Sequence, residues 1–214
     1  TKRIMKISQS LIIIFLPLMI ILSNLLFLTN NNSFYETNYK KENIYQNFQS
    51  VLQVQSATKE LIGYLRGQNN LEDNLYSLQA KIHLKDVKSL IHLTSLVNYL
   101  SILVVAITVL YFLIRKKFKP LKRAIFIGSS ATISIIFIIA ISLLVNFDFI
   151  FTIFHKIFFN NNLWLFPEED NLIKLFPHEF FMAFAYKLFL NILSTAFAFI
   201  LVAVLFIKND KLSN

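Results

Sequence analysis

Four long runs of apolar residues constrain the fold of this chain more than any other feature of its sequence. The runs cover residues 11–28, 96–114, 124–147 and 180–207, and each is close to or above the roughly 20 residues that an α-helix needs to cross a ~30 Å hydrocarbon core. Inside a bilayer the backbone must satisfy its own hydrogen bonds, so we expect each run to be a helix. The sequence therefore predicts an all-α, polytopic membrane protein with four transmembrane helices.

The composition agrees with a chain that lies mostly in lipid. Of its 214 residues, 56% are hydrophobic and only 15% are charged, against about 25% charged residues in a typical soluble domain. An ordinary cytoplasmic enzyme and a disordered chain are both excluded, because each needs far more polar sequence. The chain has no cysteine, which excludes a disulfide framework, a thiolate metal site and a cysteine nucleophile.

The first apolar run has two interpretations. It follows Lys2, Arg3 and Lys6, as the apolar core of a secretory signal peptide would. The run is longer than such a core, however, and residues 28–30 are a poor match to the small residues of a cleavage site. We therefore expect this segment to be retained as transmembrane helix 1.

The charges between the runs predict the orientation in the membrane. The N-terminus, the turn 115–123 and the tail after residue 207 carry eleven basic residues and one acid. Segments 30–95 and 148–181, counted together with Lys187 near the start of the fourth run, carry ten basic and eleven acidic residues. The positive-inside rule then places both termini and the turn in the cytoplasm and the two longer segments outside. Topology thereby explains the net charge of +9, and no nucleic-acid partner is expected. The predicted order is 1–29 (cytoplasmic N-terminus and helix 1), 30–95 (extracellular cap segment), 96–147 (helical hairpin 2–3), 148–181 (aromatic-rich extracellular cap segment) and 182–214 (helix 4 and cytoplasmic tail).

The two outer segments are predicted to form a mostly helical cap. Apolar residues recur at helical spacing over 44–65, Gly67 marks the end of that helix, and a second helical pattern starts near Leu71. In the other segment a turn is expected at 160–162, followed by a short helix that begins at the acids 168–170. Ten large aromatic rings also fall within about 33 residues there. They fit an interfacial aromatic belt or a pocket for acyl chains, and their number exceeds what a belt needs.

The four histidines all lie in the outer segments. His83 is 31 residues before the end of the second run, and His155 is 31 residues after the start of the third. Because a short turn joins these runs into a hairpin, two helical arms would bring both imidazoles to a similar depth. Such a pair can act as general acid and base. His92 and His178 are interpreted as structural.

The surroundings of His83 leave several kinds of chemistry open. On a helix, Asp86 is its i+3 neighbour and can fix the imidazole tautomer, although a solvated charged face has the same pattern. A zinc site formed by His83, Asp86 and His155 is an alternative, but no HExxH motif supports it. Without a cysteine or a G-x-S-x-G elbow, the chain offers little from which to form a covalent acyl-enzyme. Lys187 and Asn191 are further candidates, because polar groups within a span are functional by default.

Two histidine motifs resemble those of a known family. Residues 83–90 read His-Leu-Lys-Asp-Val-Lys-Ser-Leu and resemble an H-x-x-D-V-K-x-L box. Residues 154–177 resemble an F-H-x-x-F…W…D-x-L-I…F-P box, and 61–65 resemble a weaker Y-L box. Together with the order of the runs and the segment lengths, these motifs resemble the bacterial lipoprotein intramolecular transacylases, the Lit family, over nearly the whole chain.

The resemblance implies a function. It implies a bacterial cell-membrane enzyme, with its active site at the extracellular interface and no cofactor. Its substrate would be a lipoprotein whose N-terminal cysteine carries a diacylglyceryl group, and it would move the sn-2 acyl chain to the α-amino group of that cysteine. Membrane lipid is the other expected partner. The family's two catalytic histidines map onto His83 and His155. Residues expected to bind substrate or support the pair, or alternatively to pack the cap, are Tyr64, Lys85, Asp86, Lys88, Phe154, Phe158, Trp164 and Asp170.

Two other functions remain open from the sequence. A lipid- or lipoprotein-binding accessory protein without enzymatic activity would have the same composition. A channel or transporter is less favoured, because four spans without a buried charge pair or a broken-helix repeat offer little to build a pathway from. The oligomeric state is left open.

Overall fold

A computed structural model describes residues 2–72 and 74–210, and for 206–210 it describes the backbone alone. Over these residues the chain is helical and contains no strand, which confirms the all-α fold class. The last residues of the predicted tail, 211–214, lie outside the described part. The helices are α1 (Lys2–Thr29), α2 (Asn32–Lys41), α3 (Val51–Leu65), α4 (Leu78–Ile114), α5 (Phe118–Val145), α6 (Phe147–Phe158), α7 (Asn171–Leu175) and α8 (His178–Asp210), with a 3₁₀ turn at Ile44–Asn47.

The four predicted spans are confirmed as helices long and apolar enough to cross a membrane. They are α1, α4, α5 and the part of α8 that covers His178–Leu205. Each begins before the apolar run that predicted it, although α5 ends at Val145, two residues short of its run. Helix α4 is 37 residues long, where about 20 would suffice. The first part of α4 therefore precedes the run 96–114 that we assign to the membrane.

The chain divides into two compact units. The first unit takes in the residues up to Leu25, Ser95–Ile141, and the residues from Leu188 onward, so it holds the apolar parts of the four long helices. Helices α1 and α5 approach closely at Gly128, where a Cβ atom would lie 3.2 Å from Leu16 Cδ2. Small residues allow such contacts between spans. The buried core of this unit comprises Ile12, Leu16, Ile20, Val105, Phe112, Leu121, Ala124, Ile136 and Ile192.

The second unit comprises Leu26–Thr94 and Ser142–Lys187 and contains nearly all of both predicted cap segments. Helix α3 begins after Ser50, whose hydroxyl accepts a hydrogen bond from Gln53 N, as an N-cap does. It ends as predicted before Gly67, which adopts φ +78°, a conformation that favours glycine. The predicted short helix is α7, and the Asp170 carboxylate caps it by accepting from Leu172 N.

The structure differs from the sequence analysis in three details. Helix α4 starts at Leu78 and not near Leu71, because the Ser77 hydroxyl caps it by accepting from Ala80 N at 3.1 Å. Helix α2 was not predicted, although Asn31 caps it. The third span and His155 do not share one helix, since α5 ends at Val145 and Asn146 caps the separate helix α6.

Candidate active site

His83 and His155 lie beside each other in the second unit. Helix α4 carries His83 and α6 carries His155. Their ring centroids are 6.1 Å apart, with an angle of 28° between the ring planes. Each histidine is only 7% exposed. The proximity expected from the equal spacing along the chain is thus present, although the arm that leads to His155 is broken at Asn146.

Aromatic rings surround the pair. His83 contacts Phe159 and Phe166 edge-on, at centroid distances of 5.1 and 5.7 Å. His155 lies 4.2 Å from Phe151 and 4.7 Å from Trp164, again between ring centroids. Phe154 and Phe159 complete its surroundings at 5.4 and 5.5 Å. The imidazoles therefore have an apolar environment on several sides, which disfavours their charged forms.

Burial keeps both imidazoles neutral at neutral pH. The pKa of His83 is lowered to about 4, chiefly by burial and then by the neighbouring His155, while Asp86 opposes the shift. Burial also lowers the pKa of His155, against a hydrogen bond to the Phe151 carbonyl that raises it. His83 precedes the membrane-assigned run 96–114, and α6 is outside the four spans, so neither group lies in a spanning segment.

The two rings differ in their hydrogen bonds. His155 Nδ1 lies 2.7 Å from the Phe151 carbonyl oxygen. In a neutral imidazole this nitrogen must then carry the proton and donate it, which leaves a lone pair on Nε2. His83 Nδ1 is buried and has no hydrogen-bond partner among the described residues. His155 is therefore held in one tautomer and is ready to accept a proton.

Asp86 does not hold His83 in the way that the i+3 spacing suggested. Its Oδ2 atom accepts a hydrogen bond from Asn161 Nδ2 at 2.9 Å. In the described part of the chain no hydrogen bond joins Asp86 to His83, whose Nδ1 atom stays without a partner. Across the side chains described, those of residues 2–72 and 74–205, no group of three or more histidine, aspartate or glutamate residues is placed to hold a metal ion.

The model of the family described as lipoprotein intramolecular transacylase Lit matches residues 10–181. This range is most of the chain and includes both histidines and their aromatic shell. The chain belongs to the Lit family. The family is one of acyltransferases, so this member is an enzyme and not a binding accessory.

The overall fold is that of Lit structures already solved. The integral membrane transacylase Lit from Bacillus cereus aligns with a TM-score of 0.91 at 22% identity, covering 99% of this chain and 100% of that one. The same protein with a histidine-to-arginine substitution gives a TM-score of 0.86 at 22% identity, covering 100% and 96%. A histidine-to-alanine variant gives 0.85 at 22% identity, covering 99% and 97%. No curated protein matched the sequence of this chain.

The other predicted site residues of this Lit-family member fall into three groups. Phe154 and Trp164 contact His155 directly. The second group is Tyr64, Lys88 and Asp86. The Lys88 ammonium lies 4.1 Å from the centre of the Tyr64 ring. Burial raises the pKa of Tyr64, and the nearby Asp86 carboxylate raises it further, so the three residues are neighbours. The third group is Lys85, Phe158 and Asp170, for which the described residues show no hydrogen bond or ring contact with either imidazole.

Sequence reasoning missed several residues around the pair. Phe151, Phe159 and Phe166 were noticed only as members of an aromatic-rich segment, and nothing in the local pattern distinguished them from belt residues. Gln79 on α4 donates to the carbonyl oxygen of Leu163 in the loop that covers the histidines, and Asn161 of that loop donates to Asp86 on α4. Their partners are distant in the sequence, so no spacing rule could identify them.

A second concave site in the same unit does not include the histidine pair. It is a cleft of about 790 Å³ between α2 and the first turns of α8. Lys187, which the sequence singled out, lies in its wall, whereas Asn191 does not. The lining residues are Asn31, Ser33, Phe34, Thr37, Asn38, Lys41, Glu42, His178, Glu179, Met182, Ala183, Tyr186 and Lys187.

Proposed function

We propose that this enzyme moves the sn-2 acyl chain of a diacylglyceryl-modified lipoprotein to the α-amino group of the same N-terminal cysteine. The product would be a lyso-form lipoprotein with one acyl chain on nitrogen and one on the S-glyceryl group. The observation that carries the proposal is the pair of buried, neutral imidazoles from two helices, 6.1 Å apart within one aromatic shell. This arrangement can serve one reacting amine and one leaving oxygen.

The protons of this reaction require two bases and one acid. An α-amine has a pKa of about 7.7–8.0, so at neutral pH it starts as an ammonium and must lose two protons to become an amide nitrogen. His155 accepts the first proton at Nε2, and the free amine attacks the ester carbonyl to form the C–N bond. His83 accepts the second proton from that nitrogen and gives it to the glyceryl oxygen as the C–O bond breaks.

The low pKa of His83, about 4, suits its part in this scheme. A weakly basic imidazole becomes a strong acid once it is protonated, so it transfers the proton readily to the departing alkoxide. His155 returns its own proton to solvent, which leaves one proton released per turnover. General acid and base groups placed in this way typically contribute about 10²–10⁴-fold each.

No enzyme nucleophile is needed, because donor and acceptor belong to one molecule. Folding the substrate so that amine and ester meet gives an effective concentration far above that of two separate reactants. The rings around His83 and His155 offer an apolar surface for acyl chains. Of the predicted supporting residues, Phe154 and Trp164 are best placed to contact substrate, while Tyr64, Lys88 and Asp86 form the polar side of the site.

The proposed setting is a bacterial cell membrane, with both termini in the cytoplasm and the histidine pair at the extracellular interface. The charge distribution along the chain supports this orientation through the positive-inside rule. In this arrangement 30–95 and 148–181 form the extracellular cap, and the turn 115–123 is cytoplasmic. Because the acyl chains of the substrate anchor it in the bilayer, the substrate would enter the site from membrane lipid.

The test is conversion of a diacylglyceryl lipopeptide by the purified enzyme, followed by mass spectrometry. His83→Ala and His155→Ala should each lower the rate by about 10²-fold or more. His92→Ala removes a histidine of the same unit that is not in the pair, and it should retain wild-type activity. The proposal fails if either pair variant keeps full activity, or if the acyl chain is released as free fatty acid instead of appearing on nitrogen.

A further inference from the structure

The loop 161–166, which follows α6, is fastened to the start of α4 by two amide side chains. Gln79 Nε2 donates to the carbonyl oxygens of Leu163 and Leu165, at 3.1 and 2.9 Å. Asn161 Nδ2 donates to Asp86 Oδ2 at 2.9 Å, and its Oδ1 accepts from Leu163 N at 3.0 Å. Both ends of the Asn161 amide are thus engaged, and one glutamine fixes both sides of residue 164.

The fastened loop carries two rings of the aromatic shell. Trp164 lies between the two carbonyls that Gln79 binds, and its ring is 4.7 Å from His155. Phe166 lies two residues further on, and its ring is 5.7 Å from His83. One loop therefore covers both imidazoles, and the hydrogen bonds that set its position come from the side-chain amides of Gln79 and Asn161.

We propose that Gln79 and Asn161 are positioning residues, which clamp the loop 161–166 so that Trp164 and Phe166 close over the histidine pair. The effect of this clamp on catalysis rests on the proposed function. The position of the loop can be measured whether or not that function is correct. These hydrogen bonds matter because they fix where the two rings lie. Misplacing a group near the reacting atoms by ~1 Å can cost about 10²-fold in rate.

Asn161 has a second effect, because it draws the Asp86 carboxylate to the loop. Asp86 is three residues beyond His83 on α4, a spacing at which helical side chains can meet. The charged or titratable groups facing this region are Asp86 on α4, His155 on α6, and Tyr64 on α3 with the Lys88 ammonium over its ring. Removing the Asn161 amide frees the carboxylate to turn towards His83, where it would favour the protonated imidazole.

Trp164 is the only tryptophan in the chain, so its fluorescence reports directly on the loop. The full-length enzyme is reconstituted in lipid nanodiscs and compared with Gln79→Glu, which keeps the side-chain shape but replaces the donating amide by a carboxylate. We expect Trp164 emission at longer wavelength and stronger quenching by acrylamide. Gln49→Glu makes the same chemical change at an exposed site of the same unit and should leave the emission unchanged. If Gln79→Glu does not yield folded protein, the same comparison is made with Gln79→Met and Gln49→Met.

The kinetic arm of the experiment uses the same samples. Gln79→Glu should lower kcat by about tenfold or more. Asn161→Ala should move the acidic limb of the pH–rate profile to higher pH, and Asn160→Ala, at the exposed neighbouring position, should not move it.

The outcomes separate the clamp from the reaction. The clamp is wrong if Trp164 emission in the Gln79 variant matches the wild type, or if the Gln49 control shifts equally. A pH–rate profile that is the same in Asn161→Ala and Asn160→Ala contradicts the proposed effect on Asp86. If the Trp164 shift appears but the wild type transfers no acyl chain, the clamp stands and the proposed function fails.

Discussion

At the scale of single residues, the two histidines are equally buried but differently held. The Phe151 carbonyl fixes the tautomer of His155, whereas His83 has no bonded partner at Nδ1 among the described residues. Burial dominates at His83 and lowers its pKa to about 4. The apolar shell therefore makes protonation of both imidazoles unfavourable in the folded state.

The lowered pKa of both histidines predicts how the stability of the fold depends on pH. For both histidines the folded-state pKa is below the unfolded value of about 6.5, so between about pH 6.5 and 4 the unfolded chain binds more protons than the folded one. Stability is full above this window and falls as the pH drops through it. We expect the thermal midpoint to fall between pH 7.5 and pH 5, and to fall less in His83→Gln. An equal fall of the midpoint in His83→Gln and wild type would contradict the lowered pKa of His83. His92→Gln serves as the control and should behave as the wild type does.

At the scale of secondary-structure elements, helix α6 is the part on which the pair depends most. It has only 12 residues and begins directly after α5. Isolated helices of this length are marginal in water, so α6 relies on its ends and its packing. At its start, the Asn146 side chain accepts a hydrogen bond from Phe149 N at 3.0 Å.

Loss of this cap should weaken α6. Asn146→Ala is expected to cost about 1 kcal/mol, which lowers the thermal midpoint by ~2–4 °C in a protein of this size. Asn146→Asp keeps an acceptor at the same place and should remain close to the wild type. The measurement is a thermal melt of the two variants in the same detergent, and equal midpoints would show that the cap does not hold α6.

The elements show where sequence reasoning succeeds and where it fails. Hydropathy identified the four spans because lipid imposes length and apolarity on each segment by itself. Gly67 and Asp170 were readable because a helix end depends on local backbone chemistry. The start of α4 was misplaced because Leu71 and Leu75 continue a helical period. In the structure Leu75 is buried in a loop instead, and its carbonyl oxygen accepts a hydrogen bond from the Asn171 side chain. That contact joins residues 96 apart in the chain, which no local pattern encodes.

The candidate site was predictable to a similar extent. Its two histidines were found from motif and spacing, and their proximity is present in the structure. Their environment was not predictable, because Asp86 looked like the partner of His83 until Asn161 was seen to bind it. Polar side chains that bind distant backbone atoms, as Gln79 does, become visible only in three dimensions.

At the scale of the whole molecule, the distribution of charge remains the basis for orientation. Eleven of the 21 basic residues fall in the segments assigned to the cytoplasm, together with one of the 12 acids. Since the chain has no cysteine, single introduced thiols can report on orientation without background labelling. The exposed positions Asn70 and Lys117 are suitable sites, one in each predicted compartment.

We expect Asn70→Cys to react with a membrane-impermeant thiol reagent in intact cells. Lys117→Cys should react only after the membrane is permeabilised, because the turn 115–123 is assigned to the cytoplasm. Gel-shift detection of the labelled protein distinguishes the two. Reaction of Lys117→Cys in intact cells would reverse the proposed topology and place the histidine pair on the wrong side for an extracellular reaction.

The rings around the histidines also bear on a reaction that would compete with the proposed transfer. An ester beside a general base is open to attack by water, and a site that admitted water freely would behave as a lipase. The rings of Phe151, Phe159, Trp164 and Phe166 lie 4.2–5.7 Å from the imidazoles between centroids. Excluding solvent is a recognised way to prevent hydrolysis of reactive intermediates. Under the proposed function, this apolar shell would therefore favour acyl transfer over hydrolysis by keeping water from the ester.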